Sequence, residues 1–189
     1  MKKIIYLLSL LIMSGEVANA KMVANIDLPD QIQVSNQPLV LNGAGIRSKF
    51  FIDVYVAGIY LPSASQDATS IIAADEIQSI HLVIITSLIT RDRLLEPMLA
   101  GVKKSAGDDY PKYEPRVKAL FDAFNIEVKL GDTLDITWLP GQGTQVSHNG
   151  KALTVLPDHD FKKMLFGLWL SPNPAQESLK QAMLGVKAS

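Results

Sequence analysis

Leu41-Asn42-Gly43-Ala44-Gly45-Ile46-Arg47, followed by Val54-Tyr55-Val56-Ala57-Gly58-Ile59-Tyr60-Leu61, are the two stretches on which the fold of this chain turns. The run from Phe50 to Leu61 is dense in Val, Ile, Phe and Tyr, the residue types that pack on a pleated sheet. Upstream, Gln31-Ile32-Gln33-Val34 alternates and Pro38-Leu39-Val40-Leu41 is apolar, so residues 31–62 read as two or three strands. Asn42-Gly43-Ala44-Gly45 interrupts the second of these, and glycine inside a strand marks a bulge or a close approach of other atoms to the backbone.

Beyond this block, Asp67 to Ala74 has the size of a two-turn helix, and Ile77 to Ile85 reads as a further strand. Thr90 is placed to cap a helix in which Leu94, Leu95, Met98, Leu99 and Val102 form one apolar stripe. Tyr113 to Asn125 repeats the pattern with Val117, Leu120, Phe121 and Phe124. Strands are expected at Thr133 to Leu139, Thr144 to His148 and Ala152 to Leu156, the last two joined through Asn149-Gly150, both of which tolerate positive φ. Helices follow at Asp160 to Leu170 and Ala175 to Leu184, with Gly185 as the stop. Partly segregated strands and helices indicate an α+β domain with helices layered on an antiparallel sheet.

Composition narrows the chemistry. The chain has 189 residues, no cysteine, three histidines, 18 Lys and Arg and 19 Asp and Glu, for a formal charge of -1. Thiol catalysis is excluded, and without clustered cations no nucleic-acid partner is expected. Lys2 and Lys3, the apolar run Ile4 to Met13, and Ala18-Asn19-Ala20 read as a cleaved secretory signal over residues 1–20. Ten apolar residues are too few for a helix across a bilayer, which takes about 20. Residues 21–189 are then expected to form one domain in the periplasm, with net charge -2 and no stable membrane insertion.

Few residues carry an obvious chemistry. If residues 47–59 form one continuous strand, Arg47, Phe51 and Tyr55 share a face, with Ile46, Phe50, Ile52, Val54 and Val56 on the other. A guanidinium, a phenyl ring and a phenol in line suit an apolar molecule with an anionic head. Lys49 and Asp53 have the same parity, however, so a solvated face fits the pattern equally, and a bulge would undo the parity. His81 reads as a satisfied, half-buried residue, and the Asp158-His159-Asp160 cluster as helix capping. Gly141-Gln142-Gly143 lacks the context of a phosphate loop and reads as a turn. No metal site or cofactor motif stands out.

Arg47 with its glycine-rich lead, the Val54 to Leu61 stretch and the tail from Phe161 to Gly185 together resemble the chalcone isomerase superfamily, in particular its bacterial, exported chalcone isomerase-like branch. The resemblance spans roughly residues 38–185 and implies an open-faced β-sandwich, a large antiparallel sheet carrying a layer of helices. In the isomerases, the cleft between sheet and helices binds a chalcone and closes a ring by intramolecular addition. Arg47 matches the arginine that holds the reactive oxygen of the substrate, but Tyr55 stands where the isomerases have threonine, and Thr90 near their catalytic tyrosine. Arginine followed by Val-Tyr-x-Ala-Gly looks like the non-catalytic fatty-acid-binding relatives. The resemblance therefore implies a binder of a fatty acid or similar apolar carboxylate, with Arg47 and Tyr55 at the head group and Phe51 and Thr90 as further ligand-binding candidates. The alternative it implies is an intramolecular lyase acting on a chalcone-like enone or phenol, with Arg47 as electrophilic anchor. A partner-binding envelope protein with a closed cleft is a third reading.

Overall fold

The computed structural model describes residues 20–186, so the signal-peptide reading, apart from Ala20, lies outside the described residues. The centre is a seven-stranded antiparallel sheet in simple sequential order: β3 (Gln31–Val34), β4 (Gln37–Lys49), β5 (Ile52–Leu61), β6 (Gln78–Ile84), β7 (Thr133–Leu139), β8 (Gly143–His148) and β9 (Lys151–Leu156). A separate two-stranded ribbon, β1 (Ala20–Val23) and β2 (Ile26–Pro29), precedes it. The helices are α1 (Ala68–Ala73), α2 (Arg91–Ala106), α3 (Tyr110–Ala123), α4 (His159–Leu170) and α5 (Glu177–Met183). Among the described residues, no helix is long and apolar enough to cross a membrane.

Strand alternation decides which face is covered. Tyr55, Ala57, Ile59, Ile80, Leu82, Ile84, Leu134, Ile136 and Trp138 point to one side and pack with Leu94, Leu120, Phe161, Leu165 and Trp169 of the helices in one core. On the opposite side, alternate positions carry Ser79 bonded to Thr137 at 2.8 Å and His81 bonded to Asp135 at 2.7 Å. The ribbon β1–β2 covers only part of this face, where Leu28 meets Ala44, Val56 and Val83. One face is thus layered with helices and the other left largely polar, the α+β, open-faced arrangement expected from the sequence.

Two sequence signals were read correctly for physical reasons that the structure makes plain. Thr90 caps α2 through its hydroxyl, which accepts from the Arg93 N–H, as its place before the apolar stripe implied. The glycine segment of β4 carries both expected features. A register shift lies between Leu41 and Gly43, and α5 approaches so closely that a Cβ on Gly43 would sit 2.2 Å from the Ala182 carbonyl oxygen.

Three expectations need correction. Residues 47–59 are not one strand, because β4 ends at Lys49 and turns through Phe50 and Phe51, both at positive φ, into β5. Phe51 is therefore fully exposed at a hairpin tip and not beside Arg47. The acidic cluster before α4 does not cap by a side chain: the Asp158 carboxylate pairs with Arg116, and Asp160 in the first turn pairs with Lys112 and Lys163. The tail helix is also shorter than expected, beginning at Glu177 after the Ser171-Pro172-Asn173-Pro174 break.

Candidate functional site

Arg47 and Tyr55 face each other directly across the β4–β5 pair, so the hairpin brings together two residues eight apart in sequence. Directly opposed residues share a face, and here it is the face under the helices. Tyr55 is buried at 5% exposure among core residues, while Arg47 is half-buried at the sheet edge of the cleft.

Both side chains are held by the C-terminal part of the chain. Trp169, on α4, donates its indole N–H to the Tyr55 hydroxyl at 3.2 Å. Gln176, at the start of α5, accepts from Arg47 Nη1 at 2.9 Å and from the Ser48 backbone N–H at 3.0 Å, and donates back to the Ile46 carbonyl at 3.2 Å. Arg47 Nη1 also donates to the Ser48 carbonyl at 2.6 Å. This position for Gln176 depends on Gly43 and Gly45, since α5 lies against both: a Cβ on Gly45 would come 2.6 Å from the Ala182 Cβ. The register shifts opposite Arg47 and Ser48, where Val54 of β5 is the extra residue, and the Ser48 N–H bonds to Gln176 there.

Donors remain at this end of the cleft. Among the described residues, the bonds of Arg47 to Gln176 and Ser48 both come from Nη1, and the Tyr55 hydroxyl accepts from Trp169 while its own proton has no acceptor. Burial pushes the Tyr55 phenol above its ordinary pKa, against the lowering pull of the Trp169 hydrogen bond and of the charge and hydrogen bonding of Arg47. The phenol therefore keeps its proton and serves as a donor. A guanidinium beside a neutral phenol, shielded from water, is suited to hold an anionic oxygen by charge-assisted hydrogen bonds.

The space beside these donors has two adjoining parts. An inner recess of about 40 Å³ is bounded by Arg47, Tyr55, Leu94, Met98, Leu168 and Ala175. An outer cleft of about 400 Å³ is bounded by Phe50, Ile52, Thr86, Leu88, Ile89 and Glu96. Lys49, Val54, Arg93 and Pro97 line both. The outer volume lies within the range of about 300–1,000 Å³ usual for small-molecule sites, and most of its wall is apolar.

Of the residues singled out from sequence, Arg47 and Tyr55 are brought together at the recess. Phe51 stands at the hairpin tip, and Thr90 is exposed, spends its hydroxyl on the α2 N-terminus and lines neither part of the cleft. Sequence reasoning did not find Trp169, Gln176 or Arg93. The first two are contributed by segments more than a hundred residues from β4 and β5, and no local pattern announces them. Among the described residues, no group of three His, Asp or Glu side chains is placed to hold a metal ion.

Residues 20–185 match the model of the family described as chalcone isomerase-like. Among solved structures, the chain is similar to the crystal structure of a fatty-acid binding protein from Arabidopsis thaliana, with a TM-score of 0.69 and 17% sequence identity over 88% of this chain and 96% of that one. No curated protein matches the sequence. At this identity the likeness establishes the fold: a curled seven-stranded antiparallel sheet with helices.

Proposed function

Since the chain belongs to the chalcone isomerase-like family, we propose that it binds a fatty acid or similar apolar carboxylate, without chemical turnover, in the cleft between β5 and α2. The observation that carries this reading is the pair of donors at the inner end of an apolar cleft: Arg47, whose bonds to Gln176 and Ser48 use only Nη1, and Tyr55 with an unengaged O–H. The recess of about 40 Å³ has room for about three water-sized groups, the size of a carboxylate. The wider apolar part then receives the hydrocarbon body. The similar plant structure is of a fatty-acid binding protein, which agrees with this assignment. The place of action proposed is the periplasm, on the strength of the charged, apolar and small-residue succession in residues 1–20.

Native mass spectrometry of the protein purified from periplasm, followed by organic extraction, is expected to release a long-chain acid. Calorimetric titration of the delipidated protein with palmitate then tests the site. Arg47→Ala should weaken binding by at least tenfold, because a hydrogen bond to a charged group contributes about 1.5–3 kcal/mol. Arg93→Ala is the control for orientation: Arg93 is exposed at the mouth, where solvent screens its charge. Equal binding by wild type and Arg47→Ala would refute the head-group assignment.

A further inference from the structure

The hairpin that brings Arg47 opposite Tyr55 is turned by the wrong residues. Its two central positions, Phe50 and Phe51, have φ of 50° and 64°. Positive φ at both central positions is the pattern of a type I′ turn, which favours Asn and Gly and is strained for a bulky aromatic residue. The other two-residue hairpins among the described residues each place Asn or Gly in at least one central position and small or polar residues in both, turning through Ala24-Asn25, Ser35-Asn36 and Asn149-Gly150. At the mouth of the cleft the turn instead holds bulky aromatic residues at both central positions and places two phenyl rings in solvent, Phe50 at 81% exposure and Phe51 fully exposed. Among these turns this one carries a bulky aromatic side chain at each central position, and strain accepted for such side chains points to a function for them.

The neighbours point to the kind of surface these rings meet. Of the eight large hydrophobic residues exposed among the described residues, four are Phe50, Phe51, Ile52 and Leu88, and three of these line the outer cleft. Lys49 lies next to the tip, with its ammonium 5.4 Å from the centre of the Phe50 ring, and Arg93 stands across the mouth. Among the described residues neither cation has a carboxylate within ion-pair distance. The acidic groups nearby are Asp53, whose carboxylate is occupied by the Ser48 hydroxyl at 2.6 Å, and Glu96 on α2. Aromatic rings at a tip flanked by long cationic side chains match the boundary between acyl chains and anionic head groups.

We propose that this hairpin tip docks the protein on an anionic lipid bilayer, with Phe50 and Phe51 entering the head-group boundary and Lys49 and Arg93 meeting phosphates, so that the cleft opens onto the membrane. The role of docking in ligand exchange rests on the acid-binding reading above. The docking itself does not, and is measured on empty protein.

The test is flotation of the delipidated protein with vesicles of phosphatidylethanolamine and phosphatidylglycerol, compared with vesicles of phosphatidylcholine alone. Wild type is expected to float with the anionic vesicles, and Phe50→Asn/Phe51→Gly to lose at least tenfold in partitioning. That double variant installs the residues the turn prefers, so its melting temperature should equal or exceed that of wild type and misfolding cannot explain a loss. Arg47→Ala should float like wild type, which separates failure of docking from failure of the acid site. Three results would overturn the proposal: no flotation of wild type with either vesicle, equal flotation of wild type and the double variant, or a dimer in sedimentation that the double variant dissolves while neither protein floats. The last would make the tip an interface between copies of the chain.

Discussion

Tyr55→Phe separates the two roles assigned to the phenol. Its oxygen accepts from the Trp169 indole at 3.2 Å, and Trp169 is 1% exposed, so removing the hydroxyl leaves a buried N–H without a partner. An orphaned buried donor costs about 1–3 kcal/mol. For a domain of this size, about 2–4 °C of melting temperature is lost per kcal/mol, so the variant should melt about 2–12 °C below wild type. A double-mutant cycle with Trp169→Phe should return a coupling on the order of 1 kcal/mol, because the pair is in contact. The second effect is on ligand. The phenol stays protonated through burial and donates to the bound carboxylate, so its loss should cost about 1.5–3 kcal/mol, a tenfold to hundredfold weaker dissociation constant for palmitate. Hexadecanol, which brings no charge to the recess, should lose much less. Calorimetry and thermal melting on the same samples read both effects. Unchanged palmitate affinity with a lowered melting temperature would reduce Tyr55 to a scaffold for Trp169 and refute its part in the head-group site.

Two further substitutions follow from close contacts elsewhere. Gly43→Ala would set a methyl group 2.2 Å from the Ala182 carbonyl oxygen and 2.7 Å from that of Met183, so α5 has to move and Gln176 with it; thermal melting should show a loss of about 1–3 kcal/mol, and calorimetry weaker palmitate binding, whereas melting like wild type would show that α5 is not seated on β4. Lys162 is buried with its ammonium donating to the carbonyls of Ile71, Ile72 and Ala74 at 3.0, 3.0 and 2.9 Å, and burial pushes its pKa down from 10.5 to about 8. Below pH 8 both folded and unfolded chains hold this proton and the cost of burying the charge is carried in full; between about pH 8 and 10.5 the unfolded chain binds more protons, so the contribution of Lys162 to stability rises with pH, by at most about 3 kcal/mol. The stability difference between wild type and Lys162→Met, measured by denaturant unfolding, should therefore shift in favour of wild type from pH 7.5 to pH 10, and a difference independent of pH would show that the three carbonyl bonds cancel the effect of burial.

What could be read in the sequence followed local rules. The apolar stripes of α2 and α3, the Asn149-Gly150 turn and the cap at Thr90 each follow from spacing or from a side chain that bonds its own backbone. The ribbon of β1 and β2 turns through Ala24-Asn25, a weaker signal, and went unread. The hairpin at Phe50-Phe51 contradicts turn chemistry, so periodicity carried a single strand through it and put Phe51 beside Arg47. Arg47 and Tyr55 still emerged as a pair, but through the alternation of one strand, whereas in the molecule they are opposed across two. Trp169 and Gln176 were out of reach, since their meeting with β5 and β4 depends on how the last helices pack on the sheet.

The strained turn and the buried donors belong to one arrangement, because the same hairpin carries both. Arg47 and Tyr55 lie toward its inner end, and Phe50 and Phe51 form its tip, with Val54 and Ile52 along the cleft wall between them. A carboxylate held at Arg47 therefore sends its hydrocarbon body outward along β5 toward the tip. Reversing the ligand would place the charge at Lys49 and Arg93, in water, where an ion pair contributes about 0–1 kcal/mol, and would leave the Arg47 and Tyr55 donors facing methylene groups. The head-inward orientation satisfies the donors in the less polar recess and leaves the end of the chain at the part of the surface that is already apolar. An acid too short to reach from the recess to Ile52 would forgo that outer contact, so affinity is expected to rise with chain length, by roughly 0.8 kcal/mol for each methylene newly buried, until the tip is reached and to level off beyond it. A titration series of saturated acids would show this break. Affinity independent of chain length would place the apolar part of the ligand outside the cleft.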